Sequence, residues 1–289
     1  MLQSTEQLKT SIAEILPDSP LFPTEWKEFS DAPKALYALG NTALLTERKL
    51  CIVGSRRTSA NALKVGEQIA ETISSSLVIV TGTADGGDTA AIEGALRGGG
   101  RIICLLAGGF GEVPQGNLPL LEKVAKQGLL LSPHAFDAPV RTFSYEYRNK
   151  LLAALCEGVL VLGAGEKSGA LITAKYAVKF ERFVFAIPYP PNSLAGIGCN
   201  ELIKRGGYLT ENAEDVASVL EVDLQTKPRP TLTPDEELVY NALQELEEGH
   251  VSEISAKVGM PIFKAKAVLS ALEVKGFAVS GGGNRYTPV

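Results

Sequence analysis

A loop with the composition of a phosphate-binding site follows the first strongly apolar run of the chain. After residues 50–53 the sequence reads Gly54-Ser55-Arg56-Arg57. Glycine lets the backbone approach a ligand closely, and an arginine guanidinium can bind two phosphate oxygens at once. The string therefore predicts a phosphate contact. The alternative is an arginine pair that points into water from a simple turn.

A second glycine-rich loop, residues 81–88, contains Gly82 and Gly86 and ends at Asp88. It matches neither the G-x-G-x-x-G pattern of dinucleotide sites nor the G-x-x-x-x-G-K-[ST] pattern of P-loops. A dinucleotide site or a P-loop ATP site is therefore disfavoured. Asp88 is interpreted as the N-cap of the next helix in preference to a general base.

A third loop places Lys167-Ser168-Gly169 and Thr173 at the start of a predicted helix. A lysine at a helix N-terminus is unfavourable for the helix dipole unless an anion occupies that end. The position of Lys167 thus favours an anion site, with a lysine that points into water as the alternative. A fourth glycine-rich loop, residues 193–200, ends at Asn200, which is a further candidate.

Three aromatic residues, Phe143, Tyr145 and Tyr147, precede Arg148-Asn149. Exposed rings beside a cationic groove bind unpaired bases, at about 1 to 3 kcal/mol per base. The alternative is that Phe143 and Tyr147 belong to the core and only Tyr145 is exposed. The candidate phosphate ligands from all these segments are Gly54, Ser55, Arg56, Arg57, Gly82, Gly86, Arg148, Asn149, Lys167, Ser168, Gly169, Thr173 and Asn200.

Metal and acyl-transfer chemistry have few residues available. The four cysteines are far apart, so buried free thiols are expected, and the two histidines lie near neither a cysteine nor each other. We therefore predict no catalytic residue, no metal and no cofactor. The net charge of −5 means that a phosphate site must be a local cluster of cations.

The composition is that of an ordinary globular chain, with 45% hydrophobic and 21% charged residues. No apolar run approaches the roughly 20 residues of a membrane helix. The first residues lack the basic and apolar regions of a signal peptide. We therefore expect a cytoplasmic protein without membrane contact.

The candidate loops lie between apolar runs that alternate with helical patterns. This alternation predicts a parallel, doubly wound sheet whose strands are covered on both faces. The predicted strands are residues 50–53, 77–80, 102–106, 129–131, 159–162 and 183–187, and the predicted helices are residues 61–74, 89–97, 118–127, 147–156, 170–180 and 200–204. In such a sheet the strand-to-helix loops meet at the carboxyl edge, where helix N-termini attract anions. The sequence thus predicts an extended Rossmann-like α/β fold that gathers these loops into one site.

The chain is predicted to have four regions. Residues 1–45 form an N-terminal lead-in segment, and residues 46–220 form the Rossmann-like domain. Residues 221–232 are interpreted as a linker, because each of its prolines disfavours a helical conformation in the residue before it. Residues 233–289 are predicted to form a small winged-helix domain.

The order of these segments resembles that of the DNA-processing protein A family, also called Smf. The resemblance is carried by residues 29–41, 52–56, 81–96, 147–153, 167–174 and 193–203. It implies a homodimer that binds single-stranded DNA and assists loading of a RecA-type recombinase in natural transformation and recombination. Of the family's DNA contacts, the arginine after Gly-Ser corresponds to Arg56, and a lysine at the Ser-Gly segment corresponds to Lys167. Asp85 stands where the family usually has an arginine, which predicts weaker DNA binding.

Two other functions are compatible with these patterns. A nucleotide-binding enzyme or sensor, similar to nucleoside-monophosphate phosphoribohydrolases, would carry Pro-Gly-Gly-x-Gly-Thr and a catalytic glutamate; residues 107–112 are the nearest string. Alternatively, the C-terminal domain would read DNA, with Lys264, Lys266 and Lys275 as phosphate ligands. That segment is net acidic, so a protein contact or a regulatory role is the preferred prediction for it.

Overall fold

The chain divides into two compact units, residues 1–225 and residues 226–289. The structure is a computed structural model that describes residues 10–224 and 231–288. Half of the predicted linker 221–232, namely residues 225–230, lies outside the described residues.

Within residues 10–224, nine strands form one sheet in the order β1-β2-β6-β5-β4-β3-β7-β8-β9. The strands are β1 Ala13–Ile15, β2 Leu36–Gly40, β3 Lys49–Val53, β4 Val78–Thr81, β5 Ile102–Leu105, β6 Leu129–Ser132, β7 Gly158–Val161, β8 Phe183–Ala186 and β9 Tyr208–Leu209. Strands β3 to β9 run parallel to one another, whereas β2 is antiparallel to both β1 and β6. The mostly parallel sheet confirms the predicted α/β fold class.

Helices cover both faces of this sheet. They are α1 Thr24–Lys27, α2 Ala60–Ile73, α3 Gly87–Arg97, α4 Leu118–Gln127, α5 Thr142–Leu155, α6 Gly169–Lys179, α7 Ile197–Lys204 and α8 Ala213–Leu220. Helices α5, α6 and α7 pack on one face with α1, and α2, α3, α4 and α8 pack on the other. Alternate residues of β3 enter the two cores: Cys51 and Val53 on one side, Leu50 and Ile52 on the other. Complete burial of a valine, leucine or isoleucine side chain contributes about 1.5 to 3 kcal/mol to folding.

The structure differs from the sequence prediction mainly at the ends of the sheet. The lead-in segment contributes two strands, β1 and β2, that extend the sheet next to β6. Helix α5 begins at Thr142, five residues before the predicted start at Tyr147. In the described part of the chain, every helix is too short or too polar to cross a lipid bilayer.

The second unit has its own small core. It contains α9 Pro234–Leu246, β10 Gly249–His250, α10 Val251–Val258, α11 Ile262–Val274, β11 Ala278–Gly282 and β12 Arg285–Pro288. The strands form an antiparallel sheet in the order β10-β12-β11. Val239, Leu243 and Leu269 are among the buried residues that hold the three helices together. Assignment of this unit to the winged-helix class stays a prediction.

Candidate functional site

The strand order creates a crevice at one edge of the sheet. From β3 the chain moves in one direction through β4, β5 and β6, and β7 then returns to the other side of β3. Loops leaving β3 and β7 therefore diverge, and such a switch point is where open α/β sheets bind ligands. A cavity of about 710 Å³ lies here, which we call the switch-point cavity. Its walls come from the loops after β3, β4, β7 and β8 and from the start of α5.

Most of the predicted phosphate ligands line this cavity. They are Gly54, Ser55, Arg56, Arg57, Arg148, Asn149, Lys167, Ser168, Gly169 and Thr173. Other lining residues are not predicted from the sequence, among them Glu166, Leu194 and Ala195. Leu194 and Ala195 lie in the glycine-rich loop 193–200, and the glycines of that loop could have indicated that its other residues also line the site.

Three cations stand at the rim of the cavity. Arg56, Arg57 and Lys167 are exposed, and within the described residues their charged groups form neither an ion pair nor a hydrogen bond. The loop that carries the two arginines is held in place: Ser55 N donates to Gly163 O (2.8 Å), and Thr58 Oγ1 donates to Ser55 O (2.8 Å). The rim thus carries concentrated positive charge that is available to a ligand.

The floor of the cavity holds a buried ion pair. Arg148 Nη1 lies 3.6 Å from Asp88 Oδ2, and the side chains are only 8% and 4% exposed. Burial raises the pKa of Asp88, and the nearby Arg148 opposes that rise. The sequence predicts Arg148 as a phosphate ligand, whereas in the structure part of its guanidinium is paired with Asp88.

Two polar atoms of the floor lack partners. Arg148 Nε and Thr173 Oγ1 are buried, and among the described residues neither has a hydrogen-bond partner. Leaving such an atom unpaired costs about 1 to 3 kcal/mol. Because both residues line the cavity, an anionic ligand could complete their hydrogen bonds.

Gly82 and Gly86 lie outside the lining and allow the loops to pack. A Cβ atom on Gly82 would lie 1.4 Å from Arg148 Nη1, so glycine makes room for the ion pair. Gly86 has a φ of 87° and forms the N-cap of α3, which is the role predicted for Asp88. Asp88 instead lies in the first turn of α3, where its carboxylate accepts a hydrogen bond from Ala84 N (3.2 Å).

Asn200 also lies outside the lining, and its carboxamide is already engaged. Its Oδ1 accepts from Tyr189 N (3.0 Å), and its Nδ2 donates to Tyr189 O (2.9 Å). Asn149, by contrast, lines the cavity and donates from Nδ2 to Gly169 O (3.2 Å), which ties α5 to the start of α6. The two hydrogen bonds of Asn200 to Tyr189 thus hold the loop after β8 in place.

Two of the three aromatic residues at the start of α5 are exposed, whereas the alternative interpretation left only Tyr145 exposed. Phe143 is 63% exposed and Tyr145 is 47% exposed, so the alternative that placed Phe143 in the core is wrong. Tyr147 is half-buried, and its hydroxyl donates to Asp31 O (2.7 Å). Burial raises the pKa of Tyr147 to about 12.

The structure also bears on metal and thiol chemistry. Within residues 10–224 and 231–288, no cluster of three or more histidine, cysteine or acidic side chains is placed to hold a metal. The four cysteines are buried free thiols, as predicted. Residues 107–112, the string nearest to the phosphoribohydrolase motif, do not line the switch-point cavity.

Comparison with known proteins identifies relatives along most of the chain. The DNA processing protein DprA of Streptococcus pneumoniae is 36% identical over 201 residues, which are 69% of this chain and 71% of that protein. Protein Smf of Escherichia coli is 31% identical over 280 residues, which are 92% of this chain and 75% of that protein.

Two solved structures have the same fold. The S. pneumoniae DprA structure superposes with a TM-score of 0.68 and 32% identity, covering 76% of this chain and 78% of that one. DNA processing protein A of Helicobacter pylori, described for its unique single-stranded DNA binding mode, superposes with a TM-score of 0.66 and 28% identity. The match covers 73% of this chain and 95% of that one. The sequence model of DNA recombination-mediator protein A matches residues 14–221. The chain therefore belongs to the DNA recombination-mediator protein A family, the DprA/Smf proteins.

Proposed function

We propose that this protein binds the phosphates of single-stranded DNA at the switch-point cavity and so assists a RecA-type recombinase in recombination and natural transformation. One observation carries the proposal: Arg56, Arg57 and Lys167 surround the cavity and, among the described residues, have no ionic partner. Family membership and the single-stranded DNA binding of the H. pylori relative support it. We expect the protein to act in the cytoplasm.

Several groups around the cavity suit a phosphate. The two rim arginines can each bind phosphate oxygens in a forked arrangement, and Lys167 adds a point charge. Helix α6 begins at Gly169 in the cavity wall, and helix N-termini favour anions. A phosphate oxygen could also accept from Arg148 Nε and Thr173 Oγ1, which have no partner among the described residues.

The exposed rings beside the cavity favour an unpaired strand over a duplex. Tyr145 lines the cavity and Phe143 lies two residues before it on α5. Both rings are accessible to bases, and stacking on a ring requires a base that is not held in a duplex. We therefore expect single strands to bind more tightly than duplex DNA of the same length.

A fluorescence-anisotropy titration of an oligo-dT across salt concentrations tests this assignment. Arg56→Ala/Lys167→Ala is expected to weaken binding and to reduce the salt slope by about 0.7 for each lost phosphate contact. Lys123→Ala/Lys126→Ala is the matched control, because it removes two exposed cations of α4, outside the cavity. Equal affinity of the cavity variant and the wild type at low salt would refute the proposal. Release of free base from nucleotides would instead support the enzyme alternative.

We also propose that the protein forms a homodimer at the β9 edge of the sheet. Strand β9 is the last strand in the order, and Tyr208 and Leu209 are 43% and 48% exposed. An exposed apolar edge strand can pair with another chain. Leu209→Glu should therefore give a monomer by light scattering, whereas Leu238→Glu, at an equally exposed leucine of the second unit, should leave a dimer. A monomeric wild type would exclude this assembly.

For the second unit we propose a protein contact or a regulatory role. Its candidate DNA-binding lysines are engaged within the unit: Lys264 pairs with Asp235 (2.7 Å) and Lys275 with Glu236 (2.7 Å). Lys266 Nζ donates to Asn284 Oδ1 (2.9 Å). A phosphate would have to compete with these contacts. Deletion of residues 226–289 is therefore expected to leave affinity for oligo-dT nearly unchanged.

A further inference from the structure

A second cavity lies across helix α5 from the switch-point cavity. Its volume is about 690 Å³, and we call it the aromatic cavity because its lining includes the rings of Tyr37, Phe143, Tyr147 and Tyr176. Neighbouring residues of helix α5 line the two cavities. Tyr147 lines the aromatic cavity, and the next residue, Arg148, lines the switch-point cavity. Only the first turns of α5 therefore separate them.

The charges of the two cavities differ. The aromatic cavity is lined by two lysines, Lys34 and Lys150, and by two carboxylates, Asp31 and Glu146. Lys150 forms an ion pair with Asp31, and the hydroxyl of Tyr176 donates to Glu146 Oε1 (3.2 Å). The switch-point cavity, in contrast, is lined by four cations and only two carboxylates. The aromatic cavity thus suits a planar, uncharged group better than a phosphate.

His134 also lines the aromatic cavity, and one of its ring nitrogens has an unused hydrogen-bonding capacity among the described residues. Its Nε2 is buried and has no partner within the described residues, and its ring centre lies 6.0 Å from that of Tyr147. Burial lowers the pKa of His134, so the imidazole is neutral at pH 7. The Nε2 atom of a neutral imidazole either donates or accepts a hydrogen bond, depending on the tautomer. The edge of a nucleobase offers groups of both kinds.

The exposed rings at the start of α5 connect the two cavities. Tyr145 belongs to the lining of the switch-point cavity, and Phe143 belongs to that of the aromatic cavity. At 47% and 63% exposure, neither ring is needed to fill the core. A chain of stacked bases that crosses the first turn of α5 would meet both rings in succession.

We propose that the aromatic cavity binds unpaired bases of the same DNA strand whose phosphates occupy the switch-point cavity. The proposal rests on the proposed function and adds to it a base-binding subsite made of Phe143, His134 and Tyr176. The strand is the occupant because the cavity adjoins the phosphate site, is neutral in charge, and is lined by rings that stack on planar groups.

Oligonucleotides with and without bases separate this subsite from the phosphate site. The full chain is titrated with an oligo-dT and with an abasic oligonucleotide of equal length, which keeps every phosphate. Phe143→Ala is expected to weaken binding of the oligo-dT about fivefold or more, the loss of one stacked base, and to leave the abasic affinity and the salt slope unchanged. Phe263→Ala, at a 79% exposed phenylalanine of the second unit, is the matched control and should change neither affinity.

A fluorescent base in the strand gives a second measurement. The emission of 2-aminopurine placed along the oligonucleotide should be quenched by stacking in the wild type and should recover in Phe143→Ala. The proposal is overturned if the wild type binds both oligonucleotides equally, or if Phe143→Ala weakens both to the same degree. Equal binding would point to an aromatic side chain of a protein as the occupant. If neither oligonucleotide binds in a salt-dependent way, the proposed function itself fails, and the two failures are thereby distinguished.

Discussion

Replacing Arg148 with methionine would leave the Asp88 carboxylate buried without its cation. The two charged groups are 3.6 Å apart and almost fully enclosed. At that distance, with an effective dielectric constant of about 20, their attraction is about 4 to 5 kcal/mol. Removal of one partner from a buried pair costs about 3 to 5 kcal/mol in measured cases. We therefore expect Arg148→Met to lower the free energy of unfolding of the first unit by about 3 to 5 kcal/mol near pH 8.

The loss should depend on pH, and its sign follows from the pKa of Asp88. Burial raises this pKa in the folded protein, and removal of Arg148 raises it further. A raised folded-state pKa contributes stability below the unfolded value of about 3.9, and this contribution disappears as the pH rises through the folded value. Arg148→Met should therefore be more destabilising at pH 8 than at pH 5. Asp88→Asn leaves Arg148 charged at both values, so its cost should change little between them.

Trp26 provides the assay. It is the only tryptophan of the chain and is fully buried in the first unit, so its fluorescence in urea reports the unfolding of that unit. The double variant Asp88→Asn/Arg148→Met removes both charges and should recover much of the stability lost in each single variant. Equal losses for Arg148→Met at pH 5 and pH 8, or strictly additive losses in the double variant, would refute the reasoning.

Three further predictions concern the loops around the cavities. Asp85→Arg places a cation in the exposed loop next to Ala84 of the cavity wall and should tighten oligo-dT binding several-fold at low salt, whereas Asp18→Arg, outside the lining, should not. His134→Gln should flatten the acid side of the stability profile by urea unfolding: burial lowers the pKa of His134, so the wild type loses stability as the pH falls from about 6.5 through the folded value. Gly82→Ala should lower the melting temperature, because its Cβ would lie 1.4 Å from the Arg148 guanidinium, whereas Gly116→Ala, with nothing within 4 Å, should not.

The inner strands of the sheet could be predicted because they are covered on both faces. Residues 50–53 and 183–187 are apolar runs, and the observed strands β3 and β8 differ from them by one residue at one end. The edge strands gave weaker signals: β9 has only two residues, both exposed, and β1 has one buried residue in three. Such strands form because they pair with a neighbouring strand of the sheet. The local sequence pattern does not show that pairing.

The candidate site was predictable in its loops and less so in its contacts. Glycine and cation patterns identified the loops after β3, β4 and β7, because parallel strands bring their carboxyl ends together. The burial of Arg148 was not predictable, since it depends on Asp88, which lies in another element 60 residues earlier in the chain. The same holds for Asn200, whose carboxamide is engaged only because the loop after β8 folds back onto α7.

The net charge of the chain is a poor guide to its interaction with DNA. At physiological salt the screening length is about 8 Å, so an exposed carboxylate farther than that from the rim has little effect on a phosphate bound there. The charges that matter are those of the cavity and its edge. The positive ones are Arg56, Arg57 and Lys167, and the negative ones are Glu166 and Asp85. Because the buried pair of Arg148 and Asp88 is neutral as a unit, the balance at the rim decides the strength of binding. A chain with a net charge of −5 can therefore bind a polyanion, and single charge changes at the rim should alter its affinity more than larger changes elsewhere.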